Sequence, residues 1–216
     1  MTYFFKCSII NLIIIRFKGG EELTEKELVK LLKEGDRGAF NVLIEEYQNK
    51  VINIAYGMLS DTEDAMDASQ EVFINIYKSI GNFKENSSLS TWIYRICANV
   101  CKDFLRKRMR SAKTVSIFSP ADEEKEIMEI PDESSSPHER FEELELKDQI
   151  RQAMDELSEE FRTVLVLCDI EGLSYDKIAE ILKCPAGTVK SRINRARIAL
   201  RKKILEKREL FDSSGV

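Results

Sequence analysis

Histidine is almost missing from this chain of 216 residues: His138 is the only one. A tetrahedral metal site would then have to be built from cysteine, and the five cysteines do not supply one. Cys7, Cys97, Cys101, Cys168 and Cys184 are odd in number and widely spaced. Cys97 and Cys101 stand one helical turn apart, but no further His or Cys lies nearby to complete a site. Reduced, buried thiols in a cytoplasmic protein are the reading that fits. Glycine and proline are scarce, at 9 and 4 residues, and no run alternates apolar and polar residues as a half-buried strand does. The fold class expected is therefore all-α. Also missing are paired carboxylates tied to a metal motif, a glycine loop that cradles phosphate, and a nucleophile beside a base. Asp61, Asp64 and Asp67 recur at three-residue steps, but the electrostatics of a helix start explain them. No enzyme and no cofactor are expected.

Charge is not missing but is unevenly placed. The formal net charge is −5, and the pI is about 5.3. Averaged over the chain, that argues mildly against a nucleic-acid partner. The basic residues, however, cluster at 102–113 and 190–208, and the acidic ones between 122 and 145. Such segregation fits local positive faces separated by a negative spacer.

The most informative stretch is 173–201, LSYDKIAEILKCPAGTVKSRINRARIALR. Ser174 can cap a first helix with Ile178, Ala179 and Leu182 on its apolar stripe. Lys183 and Cys184 break the pattern, and Pro185 suits the first position of a second helix. There Val189, Ile193, Ala196 and Leu200 recur at steps of four, three and four, which is one buried face. The opposite face carries Thr188, Lys190, Ser191, Arg192, Asn194, Arg195 and Arg197, side chains suited to base edges and phosphates. A solvated basic helix in a bundle is the plainer alternative. The turn chemistry and the small Ala179 argue against it, because paired helices of this kind cross closely.

Two small helical domains are expected. The first spans 23–113. Thr24 caps a helix with Leu28, Leu31 and Leu32. Phe40, Leu43, Ile44, Tyr47, Val51, Ile54 and Ala55 then form a long stripe, and Ala65, Ala68, Val72, Phe73 and Ile76 form another. A polar loop at 81–90 precedes a helix from Thr91, with Ser90 as its cap. Residues 114–138 hold Pro120, Pro131, Pro137 and many carboxylates, with too little apolar surface to fold alone; a flexible acidic linker is expected. The second domain spans 139–208, and 209–216 is a tail. Ser158 caps a helix carrying Phe161, Val164, Leu165 and Leu167, which Gly172 ends.

Residues 1–22 stand apart. The apolar run at 3–17 is short of the roughly 20 residues a membrane span needs, and Lys6 interrupts it. A membrane anchor is one reading. The preferred expectation is that this extension does not belong to the working protein: Lys18-Gly19-Gly20-Glu21 is what a translated purine-rich ribosome-binding sequence gives, and Leu23 fits an internal UUG start. Intact mass from the native host decides it; a mass that includes residues 3–17 ends the idea.

Three motifs carry a resemblance. They are Asp67-Ala68-Ser69-Gln70-Glu71-Val72-Phe73, then Thr91-Trp92-Ile93-Tyr94-Arg95-Ile96 with Asn99 and Lys102, and Cys184-Pro185-Ala186-Gly187-Thr188-Val189-Lys190-Ser191-Arg192. Together they resemble the extracytoplasmic-function (ECF) bacterial sigma factors of the sigma-70 family, over nearly everything after Leu23. The resemblance implies a first domain that binds core RNA polymerase and opens the −10 element. It implies a second domain that reads the −35 element of promoter DNA as duplex, and so directs transcription of a specific regulon. It places polymerase binding on Asp64, Asp67, Gln70 and Glu71. It places capture of the −10 strand on Phe83, Lys84, Asn86, Ser87, Ser88, Trp92, Arg95, Asn99 and Lys102, with Phe83 offering an aromatic face to a flipped base. Core packing is the competing role for Trp92. In the second helix of the pair it assigns base edges to Thr188, Ser191, Asn194 and Arg195, and backbone to Lys190, Arg192 and Arg197. Family membership also implies an anti-sigma partner, often membrane-tethered. The rival class is a helix-turn-helix regulator that binds duplex without polymerase. It needs a ligand pocket or a phosphoacceptor pattern in the first domain, and the sequence offers neither.

Overall fold

The computed structural model describes residues 15–16, 22–114 and 137–214, with side chains placed for 23–110 and 146–207. The apolar run at 3–17 and the acidic linker at 114–138 lie almost wholly outside the described residues. Strand β1 (Ile15–Arg16) pairs antiparallel with β2 (Glu22–Leu23), Ile15 opposite Leu23. Every other element described is helical.

Four helices make the first domain: α1 (Glu25–Lys33), α2 (Arg37–Leu59), α3 (Thr62–Ser79) and α4 (Leu89–Thr114). Their starts are written in the sequence. Thr24 forms a reciprocal capping box with Glu27 on α1, and the Asp36 and Asp61 carboxylates accept the Ala39 and Asp64 N–H groups at 2.7 and 3.0 Å. These bonds satisfy N–H groups that the first helical turn leaves unpaired. The predicted stripes turn inward: Leu28, Leu43, Val51, Ile54, Ala55, Ala68, Val72 and Ile76 are fully buried. One cap falls elsewhere than expected. Helix α4 begins at Leu89, and Ser88, not Ser90, accepts the Thr91 N–H at 3.2 Å. Glu25 reaches across from α1 to take the Leu89 N–H at 2.8 Å.

The second domain comprises α5 (Pro137–Asp155), α6 (Glu159–Leu165), α7 (Tyr175–Leu182) and α8 (Ala186–Ser214). Ser158 and Ser174 cap α6 and α7 as expected. Helix α6 does not stop there but widens into a π turn over Val166–Ile170. Gly172 then reverses the chain at φ +64°, a conformation that costs glycine little. Lys183 takes the left-handed conformation (φ 51°, ψ 46°) between α7 and α8. Ile178, Ile181, Val189, Ile193 and Ala196 meet beneath that turn, each at most 3% exposed. Burying each large aliphatic side chain there stabilises by about 1.5–3 kcal/mol. Pro185 sits just ahead of α8, its carbonyl accepting the Val189 N–H at 3.2 Å.

The two domains pack directly on each other, and their buried side chains form one continuous core. Gly57 on α2 is what permits the approach. A Cβ there would stand 3.0 Å from a Val166 methyl and 3.1 Å from the Ile170 Cδ1 on the π turn.

Candidate nucleic-acid interface

Helix α8 presents its polar residues as predicted by period. Lys190, Ser191, Asn194, Arg195 and Arg197 are exposed, while Thr188 and Arg192 are half-buried. Several are already engaged. Arg192 pairs with Glu160 at 3.4 Å. Arg197 makes a two-pronged contact with Asp169, at 2.5 and 3.2 Å, and this holds the Asp169 carboxyl below the ordinary carboxylate value. Arg195 donates from Nε to the Ser191 carbonyl at 3.3 Å, which aligns the guanidinium along the helix surface. Further along, Lys203 and Lys207 pair with Glu156, just past the end of α5, at 3.0 and 2.9 Å.

The polar loop before α4 is held from both sides. Glu85 adopts φ +56° and pairs with Lys33. The Ser88 hydroxyl meets those of Ser90 and Thr91 at 3.0 and 2.9 Å. Lys84 and Asn86 are exposed, and Ser87 and Ser88 are half-buried. Phe83 is packed inward rather than presented to solvent. It is 5% exposed, with its ring centroid 5.1 Å from that of Trp92 and the Lys33 ammonium 5.9 Å from its face. The ring sits where the loop crosses the end of α1, so no aromatic face is open to a base in this arrangement. Half-buried Trp92 shares that packing.

On α4, Arg95 and Lys102 are half-buried and Asn99 is exposed. Arg95 turns towards the second domain. It donates to the Glu180 carbonyl at 2.7 Å and to the Ile181 carbonyl at 3.3 Å, at the carboxyl end of α7. Lys102 faces Glu159 at 3.7 Å. A cleft of about 800 Å³ opens between the polar loop and α7, lined by Thr24, Glu25, Ser87, Ser88, Ser90, Asp176, Lys177 and Glu180 among others. Sequence reasoning missed Lys177. Its ammonium donates to the Ser90 hydroxyl at 2.8 Å and lies 5.8 Å from the Tyr94 ring, and burial lowers its pKa. Nothing in its local pattern separates it from a solvent-facing lysine.

On α3, Asp67 and Gln70 are exposed, while Asp64 and Glu71 are half-buried. The same helix exposes Met66, Ile74 and Tyr77, at 42, 50 and 60%. These three were legible as apolar residues outside the Ala65–Ala68–Val72–Ile76 stripe.

Two helical modules, one ending in a helix-turn-helix and the other carrying a donor-lined helix beside a polar loop, define a two-domain nucleic-acid-binding protein. The chain matches the families described as Sigma-70 region 2, over residues 43–111, and Sigma-70, region 4, over residues 147–200. It is 36% identical to the RNA polymerase sigma-H factor of Pseudomonas aeruginosa, across 82% of this chain and 92% of that one. It is 36% identical to the ECF sigma factor SigW of Bacillus subtilis (85 and 98%) and 35% identical to the ECF sigma-E factor of Escherichia coli K12 (85 and 96%). Among solved structures it resembles CnrH in complex with the cytosolic domain of CnrY, with TM-score 0.60 and 22% identity over 82% of this chain and 95% of that one. It also resembles the sigma factor RpoE of Bartonella quintana in complex with the anti-sigma factor NepR, with TM-score 0.59 and 23% identity over 76 and 96%. The chain belongs to the extracytoplasmic-function sigma factors of the sigma-70 family. The match spans both domains, which disfavours a regulator that works without polymerase. Among the described residues, no helix is long and apolar enough to cross a membrane.

Proposed function

We propose that this chain acts in the cytoplasm as the promoter-specificity subunit of RNA polymerase. Its first domain, 23–113, docks on core polymerase through α3, with Asp64, Asp67, Gln70 and Glu71 meeting a complementary surface. Lys84, Asn86, Ser87 and Ser88 of the loop, with Arg95, Asn99 and Lys102 of α4, then hold the −10 strand once it leaves the duplex. The second domain, 139–208, lays α8 in the major groove of the −35 element. Thr188, Ser191, Asn194 and Arg195 face base edges there, and Lys190, Arg192 and Arg197 hold phosphates. No covalent chemistry is needed. A protein that binds the opened strand better than the closed duplex shifts the equilibrium towards the bubble. Unstacking costs a few kcal/mol per base, a scale that a fitted pocket plus cationic tracking offsets. An anti-sigma protein is the regulator this reading calls for.

The observation that carries the reading is the pair of donor-lined helix faces, on α4 and α8, both backed by the shared apolar core. Run-off transcription with purified core polymerase over random promoter fragments tests it. Transcripts starting downstream of a shared pair of spaced elements are expected. A chain with no affinity for core polymerase would overturn the reading.

A further inference from the structure

Two of the three cationic or amide groups on the α4 face are spent on the protein itself. Arg95 serves two carbonyls in the last turn of α7, Glu180 and Ile181, which the helix end leaves without the usual i+4 donors. Lys102 faces Glu159. Lys177 answers from the other side, on Ser90 and Tyr94. The α4 face and the helix-turn-helix are thus in direct contact. Two promoter elements set apart along a duplex are separated by about 3.4 Å per base pair, so reading both calls for the two domains to part.

We propose that Arg95 is a shared ligand. In the free protein its guanidinium closes the two domains by capping the carboxyl end of α7. On the promoter the same group is surrendered to the melted strand, so domain closure and strand binding exclude each other. The proposal rests on the sigma-factor reading above and adds a self-masking state that needs no second protein. The charge logic is direct. A guanidinium bound to two carbonyls is well served but not neutralised, and a phosphate offers it a stronger, charge-assisted partner. Masking therefore raises the threshold for strand binding without abolishing it: apparent affinity falls by the fraction of molecules that are open.

The test uses the full chain and two variants that loosen the seam by different routes. Gly57→Leu wedges α2 away from Val166 and Ile170. Lys177→Ala removes the Ser90 and Tyr94 contacts without entering a core. The probe is a fluorescent 20-nucleotide single-stranded DNA of mixed sequence, read by anisotropy, with the radius of gyration measured by small-angle scattering. Both variants are expected to be more extended and to bind the strand about fivefold or more tightly than the parent. Adding Arg95→Ala to Lys177→Ala is expected to abolish the gain. Variants that stay compact with unchanged affinity overturn the proposal, and so do variants that extend without binding better, or a gain that survives Arg95→Ala. Run-off transcription by the parent chain separates the two levels: if it initiates with core polymerase while the variants show no gain, only the masking idea fails.

Discussion

Arg162, on α6, donates to the Met58 carbonyl at 2.8 Å, across 104 residues of sequence. That carbonyl belongs to the last turn of α2, where intrahelical partners run out. Arg108 approaches the neighbouring Leu59 carbonyl at 3.5 Å. Two guanidinium groups thus sit at the negative end of one helix, the arrangement its dipole favours. Arg162 also contacts Asp155 at 3.1 Å and is only 6% exposed, and burial pulls its pKa down from the ordinary arginine value.

Arg162→Met keeps the apolar stem and removes the charge. It leaves the Met58 carbonyl buried without its donor, so a loss of about 1.5–3 kcal/mol is expected. Equilibrium urea unfolding of the whole chain measures it. A midpoint equal to that of the parent would mean the contact adds nothing beyond what water supplies.

Arg195→Ala and Lys202→Ala should fail differently on DNA. Arg195 faces outward on the second helix of the helix-turn-helix, and its loss is expected to cost about 1–3 kcal/mol and relax sequence choice at one base pair. Lys202 is highly exposed, with Glu206 at 3.6 Å. Its loss is expected to weaken binding evenly and reduce the salt slope by roughly one unit. Titrations on correct and scrambled −35 duplexes distinguish them. Equal losses on both duplexes for the Arg195 change would remove it from the base readers.

Much of this molecule was legible in the sequence because its signals are local. The caps at Thr24, Ser158 and Ser174 and the apolar stripe of α8 act over one or two turns, and all appear in the structure. The α8 polar face followed from the same period. What escaped depends on contacts between distant segments. Phe83 reads as an exposed loop aromatic until Trp92 and Lys33 close over it. Ser90 reads as a cap until Ser88 takes that role. The engagement of Arg95 with α7 and of Arg162 with α2 spans 85 and 104 residues respectively, and no periodicity encodes such a pairing.

Ile74 offers a separate check on polymerase docking. It is half exposed on the α3 face that also carries Asp67 and Gln70. An apolar side chain left out of the core beside acidic groups is what a mixed interface uses as an anchor. Ile74→Asp is expected to weaken core polymerase binding by about 2 kcal/mol or more, and to change folding stability by well under about 1 kcal/mol. Pull-down affinity and a thermal melt read the two quantities. Undiminished binding would exclude this face from the docking surface.

Cys97 tests the cysteine reading. It is fully buried, and the neighbouring Cys101 side chain together with burial raises its pKa well above the ordinary thiol value. The thiolate is the reactive form, so Cys97 is expected to resist iodoacetamide at pH 8 in the folded chain and react once denaturant is added. Cys184 is half exposed and should be alkylated first. Mass mapping of the modified peptides decides it. Rapid labelling of Cys97 under native conditions would show that the first domain opens far more readily than its packing implies.

Asp169 and Arg197 make the last prediction, and here the sign matters. The Arg197 hydrogen bonds lower the Asp169 pKa, so folding is favoured by this pair above the unfolded aspartate value of about 3.9. That contribution is lost as pH falls through the lower, folded value. Carboxyl carbon NMR should place the Asp169 midpoint below an ordinary aspartate, and Arg197→Ala should move it back up. The same pair also restrains a helix-turn-helix arginine. Asp169→Asn removes a competing carboxylate and is expected to strengthen binding to non-specific duplex at low salt, with the gain vanishing as salt rises. An unchanged duplex affinity would mean that Arg197 stays on the protein when DNA binds, and its place among the phosphate contacts would be lost.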